Sequence, residues 1–212
     1  LREVANIETE MDAILRKLGH SDGPLQERMN QLMAKLPKPS DPDPRPALLE
    51  RISEIIRDAE GRSETAFDLR PTKSVIVKRE PAMTEKTASA HYTPPAPDGS
   101  QPGIYWVPMA DISPKSDWIG LGLKTVAYHE AIPGHHFQVA LQQEIPDLPR
   151  YRKYRIFGFN SAFGEGWALY AERLAMENGW YEGDLLGQLG YLSGQLLRAR
   201  RLVVDTGLHA KK

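Results

Sequence analysis

Apolar residues recur at three- and four-residue intervals from the start of the chain. Val4, Ile7, Met11, Ile14, Leu15 and Leu18 share one face and predict an amphipathic helix over 2–18. Gly19 ends it, and Pro24 opens a second helix carrying Leu25, Met29, Leu32, Met33 and Leu36. The segment from Pro37 to Pro44 holds four prolines, which lack the N–H that a helix or sheet requires, and reads as a stiff exposed connector. A third helix follows over 46–60, with Leu49, Ile52, Ile56 and Ala59 inward. These three helices read as packing scaffold.

The texture then changes. Ser74 to Arg79 is short and β-branched, which predicts a strand, and residues 92–103 form a loop rich in Pro and Gly. Ile104 to Val107 predicts a second strand, closed by Pro108, with Tyr105 and Trp106 facing opposite sides. From Trp118 onward the pattern is helical again. It runs over 120–143 with a break at Pro133-Gly134, then over 150–157, 162–178 and 181–204. The fold class is mainly α (α+β), with a small β-sheet ahead of the helix that carries the chemistry.

Bulk composition narrows the possibilities. The 212 residues include 27 basic and 28 acidic side chains, so there is no electrostatic case for a nucleic-acid partner or an anionic membrane. The chain has no cysteine, which rules out disulfides, thiolate zinc sites and cysteine nucleophiles. No apolar run approaches the ~20 residues of a membrane span. Leu1 already stands inside a helical pattern, and the chain stops after His209-Ala210-Lys211-Lys212 without a stop signal. Both ends read as cut, so localisation signals are expected outside this segment. Residues 1–60 read as a helical scaffold segment and 61–212 as a catalytic segment, both parts of one larger domain.

The chemistry concentrates in His129-Glu130-Ala131-Ile132-Pro133-Gly134-His135-His136, which holds three of the six histidines beside a carboxylate. Zinc hydrolases use this kit: neutral imidazoles hold the metal, and an adjacent Glu takes a proton from its water. In the usual H-E-x-x-H form the two histidines sit one helical turn apart. Here position 133, where the second His would stand, is Pro. Its ring crowds the carbonyl of His129, and Gly134 relaxes the backbone, so the helix must kink or bulge. If 132–133 is looped out, His135 takes the place of the second ligand; on an unbroken helix His136 would lie nearer the line of His129. His135 is the favoured ligand and His136 the alternative.

A third protein ligand would leave a fourth position open for water. Glu165, in Phe163-Gly164-Glu165-Gly166-Trp167, is the candidate, and the glycines on each side would let the backbone approach closely. Glu172, seven residues on, shares its helix face and either binds metal itself or orients a ligand imidazole. His209 follows an apolar run and is a candidate oxyanion donor, with Asp205 or a backbone carbonyl setting its tautomer. It also fits a helix C-terminal histidine beside the dipole. Arg198, Arg200 and Arg201 form a basic cluster, in which one arginine can clamp a carboxylate while surface ion pairs take the rest. His20 and His91 carry no constellation.

The blocks His129 to Gln138, Glu165 to Glu172, Arg198 to His209 and Asp98 to Tyr105 resemble the large bacterial family catalogued as domain of unknown function 885. The resemblance implies a zincin-like helical metallopeptidase domain of the gluzincin kind, within a protein of several hundred residues. It implies His129, His135 and Glu165 as Zn2+ ligands, Glu130 as general base and His209 near the active site. It names no substrate, and it leaves bacterial cytoplasm and periplasm both open. The expectation is a zinc-dependent metallopeptidase with a peptide substrate and catalytic residues Glu130 and His209. A zinc hydrolase of a non-peptide amide or ester needs the same metal and base, and a metal-free helical binding or scaffold module is the rival from another class.

Overall fold

The computed structural model describes residues 1–37, 40–112 and 120–211. Trp118 and residues 38 and 39 of the proline connector lie outside the described residues. The chain forms two compact units: residues 1–39, 113–123 and 181–212 make the first, and residues 40–112 and 124–180 make the second. Neither unit coincides with the 1–60 and 61–212 segments read from sequence texture. The third scaffold helix belongs with residues 129–136, and the last helix belongs with the first two.

In the first unit, helices α1 (Arg2–Lys17) and α2 (Leu25–Lys35) join the long C-terminal helix α8 (Leu185–His209). Ile7, Met11, Ile14 and Leu15 of α1, Met29 and Leu32 of α2, and Leu189, Leu192 and Leu196 of α8 are buried. The end of α1 is a Schellman cap. Gly19, at φ 82°, donates its N–H to the Arg16 carbonyl, and the His20 N–H reaches the Leu15 carbonyl. Arg28 is buried and pairs with Asp12 at 2.7 Å. Helix α8 begins four residues later than the pattern predicts. The Asp184 side chain accepts a bond from the Gly187 N–H and so fixes the start.

In the second unit, α3 (Arg45–Ala66) runs six residues beyond its expected end and packs on a three-stranded sheet. Strand β1 (Val75–Arg79) lies parallel to β3 (Gly103–Val107), and β2 (His91–Thr93) lies antiparallel to β3 on its other side. The three residues of β2 fall partly in the expected loop; so short a strand, followed by Pro94-Pro95, gives no readable alternation. The strand nearest the motif in sequence, β3, is thus the central one, and the sheet edges are β1 and β2. Tyr105 is wholly buried, while Trp106 is half-buried and donates from Nε1 to Thr93 Oγ1. Helices α4 (Leu123–Glu130), α5 (His135–Glu144), α6 (Arg150–Lys153) and α7 (Ser161–Glu177) complete the unit. Helix α6 stops at one turn where the pattern predicts two, because the chain enters a positive-φ turn at Arg155.

An ion-pair fork closes the sheet. Arg79 Nε and Nη2 donate to the two Glu85 oxygens at 2.7 and 2.8 Å, and the Met109 N–H donates to Oε1 at 3.0 Å. The Arg79 bonds, opposed by burial and helped by the Met109 N–H, lower the Glu85 pKa to about 2. A carboxyl depressed on folding stabilises the protein above its unfolded pKa and loses that contribution as pH falls through the folded value. Glu85→Gln is therefore expected to weaken the acid dependence of the melting temperature between about pH 4.5 and pH 2. Identical acid limbs in wild type and variant would show that the fork carries none of it.

Candidate metal centre

The helix breaks where Pro133 requires it. Helix α4 ends at Glu130, the Ile132–Pro133 peptide is cis, and α5 starts at His135. The Phe137 N–H reaches back over the bulge to the Ala131 carbonyl, so two helical segments join across looped-out residues. Gly134 makes this possible: a Cβ there would run into the carbonyl oxygens of His129 and Tyr128. Trp167 of α7 donates from Nε1 to the carbonyls of Pro133 (2.9 Å) and Gly134 (3.2 Å), which ties the bulge to the helix that bears Glu165.

Three donor groups converge. One ligand atom from each of His129, His135 and Glu165 lies within 4.8 Å of the others. His129 Nε2 is 3.3 Å from Glu165 Oε2, and His135 Nε2 is 3.5 Å from Glu165 Oε1. Two ligands about 2.1 Å from one tetrahedral ion stand roughly 3.4 Å apart; these two contacts, made to different Glu165 oxygens, are near that spacing, and the residue types fit zinc once the widest pair, within 4.8 Å, closes. His129 Nδ1 lies 2.7 Å from Glu172 Oε1 and donates to it, because a carboxylate only accepts. With Nδ1 so engaged, His129 turns its Nε2 toward Glu165, and in the neutral ring that nitrogen carries the lone pair. Burial, reinforced by the nearby His129, lowers the His135 pKa to about 4, so His135 is a neutral imidazole at pH 7. Two imidazoles and a carboxylate meeting in one place could hold a metal ion.

Glu165 and Glu172 differ in setting despite sharing a face of α7. Glu172 is 1% exposed and Glu165 is 53% exposed, so the former holds the back of His129 while the latter remains open to solvent. The two flanking glycines also differ. Gly164 sits against the Phe159 ring, where a Cβ would not fit, but Gly166 has nothing within 4 Å, so close approach explains only the first.

His136 has another occupation. Its Nε2 lies 2.9 Å from the Lys73 carbonyl, which can only accept, so Nε2 carries the proton; Nδ1 accepts from the Tyr92 hydroxyl at 3.0 Å. Both ring nitrogens are spent, Gly103 leaves room for the ring, and the cluster is made with His135. Glu130 is 7% exposed at the end of α4, and its charge bears on the buried Tyr105 phenol, which burial keeps protonated.

His209 lies in the first unit, at the last turn of α8. It is exposed, with Nδ1 2.8 Å from the Asp205 carbonyl, as in a helix C-terminal histidine. Arg200 pairs with Glu8 at 2.6 Å. Sequence reasoning missed Trp167, Tyr92 and Arg155. The one available signal was the Trp167 indole, two residues from Glu165, since a buried N–H has to find an acceptor.

A mainly helical structure with a small sheet and a His-His-Glu cluster, its imidazoles buried and its carboxylate exposed, defines the class. The chain belongs to the bacterial proteins of unknown function designated DUF885, whose family pattern matches residues 1–212. It is similar in structure to a putative lipoprotein from Colwellia psychrerythraea, at 41% identity and a TM-score of 0.89, over 100% of this chain and 36% of that one. A putative lipoprotein of unknown function from Shewanella oneidensis is similar at 25% identity and a TM-score of 0.72, over 97% of this chain and 38% of that one. The chain thus spans little more than a third of the length of either. No curated protein matches it.

Proposed function

We propose that this chain carries the metal centre of a zinc-dependent hydrolase acting on peptide bonds. The observation that carries the reading is the convergence of His129, His135 and Glu165, with His129 oriented from behind by Glu172 at 2.7 Å. His129, His135 and Glu165 would hold the ion, whose chemistry is to polarise a carbonyl and lower the pKa of water toward ~7. Glu130 follows directly on ligand His129. It accepts the proton that water releases as its oxygen adds to the carbonyl carbon, and passes it to the amide nitrogen as the C–N bond breaks. One water is consumed; an acid and an amine leave. Glu172 keeps the proton on His129 Nδ1 throughout, so that Nε2 keeps its lone pair for the ion.

Among the described residues no helix is long and apolar enough to cross a membrane. The lipoprotein description of both relatives supports an exported setting in the cell envelope. The direct test is elemental analysis of the full-length protein together with cleavage of a mixed peptide pool. About one zinc per chain is expected, with cleavage abolished by a chelator and restored by zinc. A protein that takes up no zinc on reconstitution ends this reading.

A further inference from the structure

Two adjoining cavities, of about 600 and 510 Å³, lie in the second unit between α5, α7 and the turn that follows α6. They share Gln142, Arg152 and Phe163 as walls. Arg155 lines the larger one beside Phe157 and Phe159; the smaller is apolar, walled by Leu69, Phe137, Leu141, Ile145 and Trp167. Arg155 is an unusual wall. Its backbone stands at φ 51°, a left-handed conformation costly for a side chain with a Cβ. The Gly158 N–H holds the turn by bonding to the Arg155 carbonyl at 2.9 Å.

That turn lays the guanidinium over the Phe159 ring at 5.4 Å, while Nη2 is buried with no hydrogen-bond partner among the described residues. No ion pair of the described residues includes Arg155. Gln142 Oε1, on the shared wall, and Gln138 Oε1, in the apolar cavity, are likewise buried without a partner. A buried guanidinium N–H and buried amide carbonyls left unpaired are costly unless a ligand satisfies them. Trp167, a wall of the smaller cavity, donates to the Pro133 and Gly134 carbonyls, so this corner adjoins the bulge that leads into His135. The complement is an anion and an N–H donor next to an apolar body. The last residue of a peptide has all three.

We propose that Arg155 binds the terminal carboxylate of a peptide whose last residue places a large apolar side chain in the adjoining cavity. Gln142 and Gln138 receive N–H groups of the same ligand. Cleavage near a free C-terminus rests on the zinc-hydrolase reading; recognition of the carboxylate does not. The two are separated by calorimetry on the full-length protein, metal-free and zinc-loaded, with N-acetyl-L-phenylalanine and its C-terminal amide as probes. The acid is expected to bind at least about tenfold tighter than the amide. Arg155→Gln should erase that difference while leaving amide binding unchanged, and Arg155→Lys should restore part of it. Equal binding of acid and amide, an acid preference that survives Arg155→Gln, or no binding of either probe would overturn the inference. An acid preference in a protein that never takes up zinc would support the carboxylate site and sink the hydrolase reading. Equal cleavage of free and amidated peptides would do the reverse.

Discussion

Glu130→Gln is expected to keep its zinc and lose turnover by about 10²–10⁴-fold, the range for removing a positioned general base. The amide fills the same volume, so the buried end of α4 stays packed, but it cannot accept a proton at neutral pH. His129→Ala should fail differently. It removes a ligand and takes from the buried Glu172 carboxylate the imidazole it holds at 2.7 Å, so both zinc and turnover go. Zinc stoichiometry and kcat measured on both variants separate a ligand from a base. Unchanged turnover in Glu130→Gln would remove it as the base, and loss of zinc in that variant would make it a ligand instead.

Gly134→Ala should be among the most damaging single-methyl additions in the second unit. The new Cβ would overlap the His129 and Tyr128 carbonyl oxygens, which are backbone and cannot rotate away as a side chain can. Overpacking of this kind costs about 1–3 kcal/mol, and any relief must push α5 away from α4. Because His135 is the first residue of α5, its nitrogen would move off the centre and zinc affinity should fall along with the melting temperature. Gly166→Ala is the control. With nothing within 4 Å, it should leave stability unchanged or raise it by up to ~1 kcal/mol. A Gly134→Ala protein that melts and holds zinc like wild type would mean that the bulge does not position His135.

Much of the helical framework was legible in the sequence. The stripes of α1, α2 and α3 are periodic, their ends carry Gly19 and Pro24, and a face that must be buried leaves the same trace in any fold. Helix ends set by side-chain caps were placed less well. Asp184 starts α8 four residues later than its apolar pattern suggests. Strand β2 was invisible because three residues are too few to show alternation, and only its register against β3 makes it a strand.

The candidate ligands were also legible as residue types. Pro133 has no N–H wherever it stands, so the break in the motif helix follows from sequence, and the seven-residue spacing of Glu165 and Glu172 puts both on one face of any straight helix. Which histidine joins them was a matter of tertiary structure. His135 and His136 are chemically identical neighbours, and the choice is made by Lys73 and Tyr92, distant in sequence, which occupy both nitrogens of His136. The same holds for Arg155. In sequence it is one more cation, and only the folded turn buries its Nη2 without a hydrogen-bond partner among the described residues. Local pattern specifies what each segment can be, because periodicity and backbone sterics act within a few residues. Partners across 40 or more residues of chain decide what each side chain does, because hydrogen-bond capacity is spent only where the fold brings an acceptor or a donor within reach.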